Sequence, residues 1–206
     1  MAQIMFDVLD KLIEYILETY TDMNILWQSS DKFNDINLKK KQVIEIPDDE
    51  VILNTIKDYR VFMELHQFEI LKKFRTAQTD KTSVTCRVKC WNSIEYKIYK
   101  YINGPLEGRM SINKCFNDLF GIRIIINDNF SHEDIKKHLD QKFPDLKFKD
   151  SSNNGYIGSH IYFMGGNKYF PWELQIWKRS DEKNNLESHK IYKQGYTSWE
   201  NNCKHF

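Results

Sequence analysis

The stretch that decides the fold is Phe116-Asn117-Asp118-Leu119-Phe120-Gly121-Ile122-Arg123-Ile124-Ile125-Ile126. Its apolar run from Ile122 to Ile126 predicts a central strand buried on both faces, entered from the end of a helix. Arg123 interrupts that run, and an arginine inside a buried strand is costly unless it meets an anion. Asp118 stands near the start of the strand, so the two side chains either form a plain ion pair or hold a metal and a phosphate.

Hydrophobic periodicity outward from this stretch predicts the order of the elements. Apolar residues recur at helical spacing from Ile4 to Tyr20, and the acidic segment at Pro47–Glu50 starts a second long helix. The later pattern predicts strands over 83–89, 122–126, 146–149, 160–164 and 172–177, and helices over 92–101, 131–143 and 181–193. This order predicts an α+β fold with one mixed β-sheet flanked by helices. We expect residues 1–80 to form an N-terminal helical region packed on a catalytic domain of residues 81–206.

Composition narrows the class of protein. The chain has 206 residues, 41% of them hydrophobic, which is ample for one core. A net charge of +1 gives no global attraction to nucleic acid, so nucleic-acid binding would need a local basic patch. The four cysteines show no C-x-x-C spacing, which favours reduced thiols over a zinc site. No apolar run approaches the roughly 18 residues of a membrane span, and we expect a soluble cytoplasmic protein.

Polar side chains gather on the strand faces opposite the core. Glu173 and Gln175 alternate with the apolar residues of the last strand, whereas the other members of the set lie on the first strand, the helix after it and the central strand: Arg87, Lys89, Ser93, Lys97, Asp118 and Arg123. The arginines and lysines suit a polyphosphate, and two carboxylates suit Mg²⁺ shared with phosphate oxygens. The set therefore predicts phosphoryl or pyrophosphoryl transfer, without the P-loop or kinase motifs.

Four motifs in register resemble the RelA/SpoT-type alarmone synthetase domain. They are Arg87-x-Lys89-x-x-x-Ser93-x-x-x-Lys97, Asp118-Leu119-x-Gly121-Ile122-Arg123, Asn154-Gly155-Tyr156-x-x-x-His160 and Glu173-Leu174-Gln175-Ile176. A terminal His189-x-x-Tyr192-Lys193 resembles the closing helix of that family. The resemblance implies the nucleotidyltransferase-like synthetase fold and transfer of the β,γ-pyrophosphate of ATP to a ribose 3′-hydroxyl.

The resemblance also implies a role for each residue. Five side chains would grip ATP: Arg87, Lys89, Ser93, Lys97 and Arg123. Asp118 and Glu173 would hold Mg²⁺, and Glu173 would act as the base on the 3′-hydroxyl. Tyr156 would stack on the acceptor base, while Gln175 and His160 would orient the acceptor or support the site. Read without the motif, Tyr156 is an ordinary turn tyrosine and His160 a core histidine.

The segment around Tyr156 departs from synthetases that use GDP or GTP. Serines precede the motif and Ile157 follows Tyr156, where that family usually carries cations for the 5′ phosphates of the acceptor. This departure resembles the toxic small alarmone synthetases of toxin–antitoxin pairs. We therefore expect pyrophosphorylation of the 3′-CCA adenosine of tRNA, inhibition of translation, and neutralisation by a protein antitoxin bound at the ATP cleft or on the N-terminal helical stripe.

Three further interpretations stay open from the sequence. The basic segments Lys39–Lys41 and Lys72–Arg75 are candidates for contact with the tRNA backbone. A small alarmone synthetase that makes (p)ppGpp or (p)ppApp from free nucleotides is an alternative, with Lys147 and Lys149 replacing the missing cations. A non-catalytic nucleotide-binding module is a second alternative, although every expected catalytic position is filled.

Overall fold

The structure is a computed structural model that describes residues 2–153 and 155–191. Two long helices come first, α1 (Ala2–Gln28) and α2 (Glu50–Arg75), with a short 3-10 turn at Val43–Glu45 between them. The remaining helices and strands are β1 (Thr82–Val88), α3 (Trp91–Ile102), α4 (Ile112–Cys115), β2 (Phe120–Ile126), α5 (His132–Lys142), β3 (Lys147–Asp150), β4 (Ser159–Phe163) and β5 (Trp172–Lys178). A 3-10 turn at Arg179–Asp181 leads into helical residues 182–191.

The strands form one mixed sheet in the order β1-β2-β5-β4-β3. Strand β2 pairs antiparallel with β1 and parallel with β5, and the other pairs are antiparallel. The predicted α+β fold with one mixed sheet and N-terminal helices is confirmed. The proposed division into residues 1–80 and 81–206 stays a prediction, and the second unit extends beyond the described residues.

Helix α1 is longer than its sequence pattern predicts, because it continues through Trp27, whose side chain is buried. Its apolar stripe lies in the core, where Leu9, Leu12 and Ile16 have no exposed surface. Helix α2 begins where predicted, since the Asp49 carboxylate accepts hydrogen bonds from the first-turn amides. Among the described residues, no helix combines the length and the apolar character that crossing a membrane requires.

The sheet is buried on its polar face as well as on its core face. Trp172, Leu174 and Ile176 of β5 lie in the core, as the alternation predicts. Glu173 and Gln175 point the other way, yet only 5% and 4% of their surfaces are exposed. A carboxylate and an amide buried to this extent need hydrogen-bonding partners, and those partners define the candidate site.

Candidate active site

Strand register brings the predicted residues together in two rows across the sheet. Residues directly opposite each other in paired strands share a face. One row crosses all five strands as Lys147, Tyr162, Glu173, Gly121 and Arg87. The next row is Lys149, His160, Gln175, Arg123 and Thr85. Residues from all four motifs thus become neighbours through long-range pairing.

Gly121 leaves room between the side chains of the first row. A Cβ atom at this position would lie 3.3 Å from Arg87 Nε and 3.5 Å from Arg87 Cγ, so the arginine lies across the glycine. A small hollow of about 60 Å³ borders Arg87, Gly121, Arg123 and Gln175. Arg87 and Arg123 therefore border a common space, which is left open because Gly121 has no side chain.

Asp118 lies among cations that come from β1, the residue after it, and α3. Its carboxylate accepts hydrogen bonds from Lys89 Nζ at 2.5 Å and from Lys97 Nζ at 2.9 Å, and Arg87 lies 3.9 Å away. Burial opposes ionisation here, but Lys97 and Lys89 outweigh it and hold the pKa of Asp118 below its ordinary value. The ion pair between Asp118 and Arg123, which the sequence left open, is not the one formed.

The two lysines differ in their electrostatic balance. At Lys97 the Asp118 carboxylate outweighs burial and raises the pKa. At Lys89 burial dominates and lowers the pKa, with Lys97 and Arg87 adding to the effect. One carboxylate therefore does not fully compensate the charge of two ammonium groups. Of the two lysines, Lys89 would have its charged form stabilised more by an added anion.

Arg123 is bound by neutral groups. Its Nε and Nη2 atoms donate to Gln175 Oε1 at 3.1 and 2.9 Å, and its guanidinium carbon lies 3.5 Å from the centre of the Trp177 ring. Within the described part of the chain, no carboxylate lies at ion-pair distance from Arg123. Burial and the nearby Arg87 lower the pKa of Arg123 to about 10. Arg123 is thus a partly buried cation to which the described residues supply no carboxylate, and a bound anion would compensate its charge.

Glu173 lies in a network of hydrogen-bonding side chains. Oε1 lies 2.9 Å from His160 Nδ1, and Oε2 accepts from Gln175 Nε2 at 2.8 Å. Burial acts to raise the pKa of Glu173, but the contact with His160 outweighs it, and the pKa stands below its ordinary value. His160 Nε2 lies 2.6 Å from the Tyr156 hydroxyl, which also accepts from Trp177 Nε1 at 2.8 Å.

Two clefts meet at the two acids. The smaller, of about 380 Å³, has Arg87, Lys89, Ser93 and Cys90 on its wall. The larger, of about 870 Å³, has Tyr156, Lys100, Lys114 and Lys149 on its wall. Six residues border both clefts: Lys97, Asp118, His160, Glu173, Gln175 and His189. All ten site residues predicted from the sequence line the two clefts or the hollow beside them.

The acids fit a metal that arrives with phosphate oxygens. The described residues contain no cluster of three His, Cys, Asp or Glu side chains placed to bind a metal. Mg²⁺ is commonly held by one or two carboxylates together with substrate phosphates, so a resident all-protein site is not required. Asp118 and Glu173 border the same space and supply carboxylates of the required type.

Sequence reasoning missed Trp177 and Tyr162. Trp177 continues the alternation of Glu173 and Gln175 along β5, and this spacing is the signal that could have found it. Tyr162 follows His160 by two residues and stands opposite Glu173 across the β4–β5 pair. Burial and the Glu173 carboxylate raise the pKa of Tyr162. In the closing motif, His189 borders both clefts, whereas Tyr192 and Lys193, like Asn154, lie outside the described residues.

Comparison with known proteins gives similarity only to solved structures. No protein-family model matches the sequence, and no curated protein matches it significantly. Small alarmone synthetase 1 from Bacillus subtilis is similar with 22% identity and a TM-score of 0.44, over 72% of this chain and 82% of that chain. Small alarmone synthetase 2 from the same organism is similar with 24% identity and a TM-score of 0.41, over 69% and 80%.

A structure of small alarmone synthetase 1 bound to AMPCPP is also similar, with 22% identity, a TM-score of 0.42, and coverage of 72% and 81%. These proteins are of the kind that the four sequence motifs resemble. With identities below 25% and TM-scores below 0.5, the similarity does not establish a shared activity. Conclusions about chemistry must come from the residues of the site.

Proposed function

We propose that the protein is an ATP-dependent pyrophosphokinase that transfers the β,γ-pyrophosphate of ATP to a ribose 3′-hydroxyl. The observation that carries this proposal is the meeting of two clefts at Asp118 and Glu173, with Arg87 and Lys89 on the wall of one cleft and Tyr156 on the wall of the other. A transfer between two substrates needs such a junction, because both reacting atoms must lie beside the same catalytic groups.

The smaller cleft suits the polyphosphate of ATP. Arg87, Lys89 and Lys97 line this cleft, and Arg123 lines the hollow beside it. Burial lowers the pKa of both Lys89 and Arg123, so a bound anion would stabilise their charged forms. When ATP binds, its phosphates would pair with Lys89 and Lys97 in place of Asp118. Asp118 would then be able to bind Mg²⁺ together with Glu173. When bound, the metal neutralises charge on the β and γ phosphates.

Glu173 is the proposed base. Its pKa lies below the ordinary value, so the carboxylate is ionised at neutral pH and can accept the proton of the 3′-hydroxyl. The 3′-oxygen then bonds to the β phosphorus, the bond from that phosphorus to the bridging oxygen breaks, and AMP leaves with that oxygen. Glu173 holds the proton when the bond has formed.

We propose the 3′-terminal adenosine of tRNA as the acceptor, with Tyr156 stacking on the adenine. Support comes from the position of one basic segment. The backbone carbonyls of Leu38 and Lys41 accept hydrogen bonds from Asn113 and Ile112, next to Lys114 on the wall of the larger cleft. Lys39 and Lys40 are exposed and lie in the segment that contacts α4, and we propose that they extend the basic surface of this cleft. By contrast, Lys73 in the second basic segment lies 3.0 Å from Glu18.

A free nucleotide is the second candidate acceptor, because the larger cleft contains Lys149, which the sequence suggested for this purpose, and two further lysines, which it did not. Lys100 and Lys114 approach from α3 and α4, and Lys149 approaches from β3. They suit the 5′ phosphates of GDP or GTP as well as the backbone of a polynucleotide. Lys147, proposed with Lys149 for this purpose, is not on the wall of the cleft.

We further propose a protein antitoxin as a partner, acting in the cytoplasm. The stripe of α1 that the sequence offered for this contact lies in the core. The outer face of α2 is the accessible surface, where Val61, Leu65 and Phe68 have 47%, 76% and 72% of their surfaces exposed. These residues are spaced as neighbours on one helical face.

The deciding experiment is an acceptor panel with ATP labelled in the γ phosphate and Mg²⁺. Separate reactions contain deacylated tRNA, tRNA lacking the terminal adenosine, GDP, GTP or AMP. We expect label on intact tRNA and none on the shortened tRNA. Label on free nucleotides alone would favour the alarmone synthetase, and no transfer to any acceptor would leave the non-catalytic nucleotide-binding module.

The same assay, run at several salt concentrations, tests whether Lys39 and Lys40 contact the tRNA backbone. Replacing Lys39 and Lys40 together by Ala should lower the salt dependence of tRNA modification, because each phosphate contact contributes to the slope. The matched control is replacement of Lys72 and Lys73 by Ala, which should leave the slope unchanged. Equal slopes in the wild type and both double variants would show that Lys39 and Lys40 do not contact the tRNA backbone.

A further inference from the structure

The contacts of Tyr156 point to a role for its hydroxyl group that is separate from stacking. The hydroxyl lies between Trp177 Nε1 at 2.8 Å and His160 Nε2 at 2.6 Å. The Tyr156 ring stands nearly perpendicular to the rings of His160, Trp177 and His189, at interplanar angles of 84°, 77° and 87°. A residue needed only as a flat surface would not require a hydroxyl held at two points.

The direction of each hydrogen bond follows from the chemistry of the groups. An indole N–H only donates, so the Tyr156 oxygen accepts from Trp177. An ionised carboxylate only accepts, so His160 Nδ1 carries the hydrogen that it shares with Glu173 at 2.9 Å. The Tyr156 hydroxyl hydrogen then points at His160 Nε2, which accepts it. Among these four hydrogen-bonded side chains, every donor finds an acceptor only when the His160 imidazole is neutral and carries its hydrogen on Nδ1.

Gly158 keeps the hydroxyl in this position. A Cβ atom at Gly158 would lie 2.7 Å from the Tyr156 oxygen and 2.9 Å from the ring carbon that bears it. Any side chain there would displace the hydroxyl from Trp177 and His160. The close approach explains a glycine two residues after Tyr156, because no positive φ angle requires one at this position.

We propose that Tyr156 acts as a positioning residue through its hydroxyl: it fixes the tautomer of His160, which holds the Glu173 carboxylate for reaction with the acceptor. The same residue thus joins the acceptor-binding surface to the proposed base. Neither Tyr156 nor His160 moves a proton in the reaction, and Glu173 alone accepts the proton of the 3′-hydroxyl. The kinetic part of this inference rests on the proposed function, whereas the tautomer does not.

The test compares Tyr156→Phe, which keeps the ring, with Gly158→Ala, which keeps every hydrogen-bonding group. In the transferase assay we expect each variant to lower kcat about tenfold, with KM for the acceptor changed less than about threefold. The double variant should be little worse than either single variant, because both break the same contact. Tyr169→Phe is the matched control, since the Tyr169 hydroxyl donates to Gln28 at the surface, away from the two clefts.

His160→Asn and His160→Gln separate the two imidazole nitrogens. The amide nitrogen of Asn can replace Nδ1 and donate to Glu173, so this variant should retain more kcat than the Gln variant. Adding Tyr156→Phe to His160→Asn should have no further effect, because the group that Tyr156 orients is gone. A further tenfold loss would show that Tyr156 does not work through His160.

Nitrogen NMR of the imidazole rings reads the tautomer without any substrate. We expect His160, assigned by the signal lost in His160→Asn, to show the Nδ1–H tautomer in the wild-type protein and a mixture in Tyr156→Phe and Gly158→Ala. Unchanged nitrogen shifts together with unchanged kcat would overturn the inference. If no acceptor is modified but the tautomer shifts as expected, the proposed function fails while the hydroxyl's control of His160 stands.

Discussion

The two acids of the site are held in opposite ways. Asp118 is held by cations, with two ammonium groups in direct contact and a guanidinium nearby. Glu173 is held by a histidine and an amide, in a chain that ends at a tyrosine and a tryptophan. Charge pairing makes Asp118 important for stability, whereas hydrogen bonding fixes the direction of Glu173. In the proposed function, Asp118 lies on the side of the polyphosphate and Glu173 lies on the side of the acceptor hydroxyl.

Replacing the acid on the hydroxyl side should have the largest effect on activity. For Glu173→Gln we expect transfer to fall by about 10²–10⁴-fold, the usual contribution of a general base. The amide oxygen still accepts from His160, so the free energy of unfolding should fall by only about 1 kcal/mol. Initial rates and chemical denaturation check the two parts. Normal transfer by this variant would remove Glu173 from its assigned role.

Replacing the acid on the phosphate side should have the larger effect on stability. For Asp118→Asn we expect the free energy of unfolding to fall by about 3–5 kcal/mol, because buried Lys89 and partly buried Lys97 lose their carboxylate. In a domain of this size the melting temperature should fall by about 10 °C. Asp145→Asn, at an exposed position on a loop, is the matched control. A shift no greater than the control's would contradict the charge-pairing account.

Lowering the pH should reduce the difference in the free energy of unfolding between wild type and Asp118→Asn. The pKa of Asp118 is lower in the folded protein than its ordinary value of 3.8. Its ionised carboxylate therefore contributes fully to the free energy of unfolding above pH 3.8. This contribution is lost as the pH falls through the pKa of the folded state. The gap between wild type and Asp118→Asn should therefore stay constant from pH 7 to 5 and shrink from pH 4 to 2. Denaturation curves at these pH values measure it, and a gap that widens below pH 4 would be inconsistent with a depressed pKa.

The smallest expected effect concerns the cations of the larger cleft. Lys149→Ala should raise KM for a phosphate-bearing acceptor about threefold to fivefold, because an exposed charge contributes less than about 1 kcal/mol. Lys147→Ala is a close control, since it lies on the same strand and face but away from the wall of the cleft. Equal effects of the two replacements would mean that the strand contributes only general positive charge.

Local sequence pattern predicted much of the fold and the face of the sheet on which the candidate site residues lie. Asp49 identified the start of α2, and alternation along β5 placed Glu173 and Gln175 on one face. Both signals depend on residues close in sequence, so they can be interpreted without knowing which distant residues are in contact. The end of α1 was predicted too early, because the packing of Trp27 in the core extends the helix beyond its regular stripe.

By itself, the sequence determined the order of the elements, the faces of the strands, and the motifs that resemble a synthetase. Only the tertiary structure decided that Asp118 contacts Lys89 and Lys97 rather than Arg123, and that Arg123 lies against Trp177 and Gln175. The physical reason is that a pattern assigns each residue a face, whereas strand order and register choose its neighbours on that face. Choosing those neighbours sets which charges are compensated, and thereby what the site is prepared to bind.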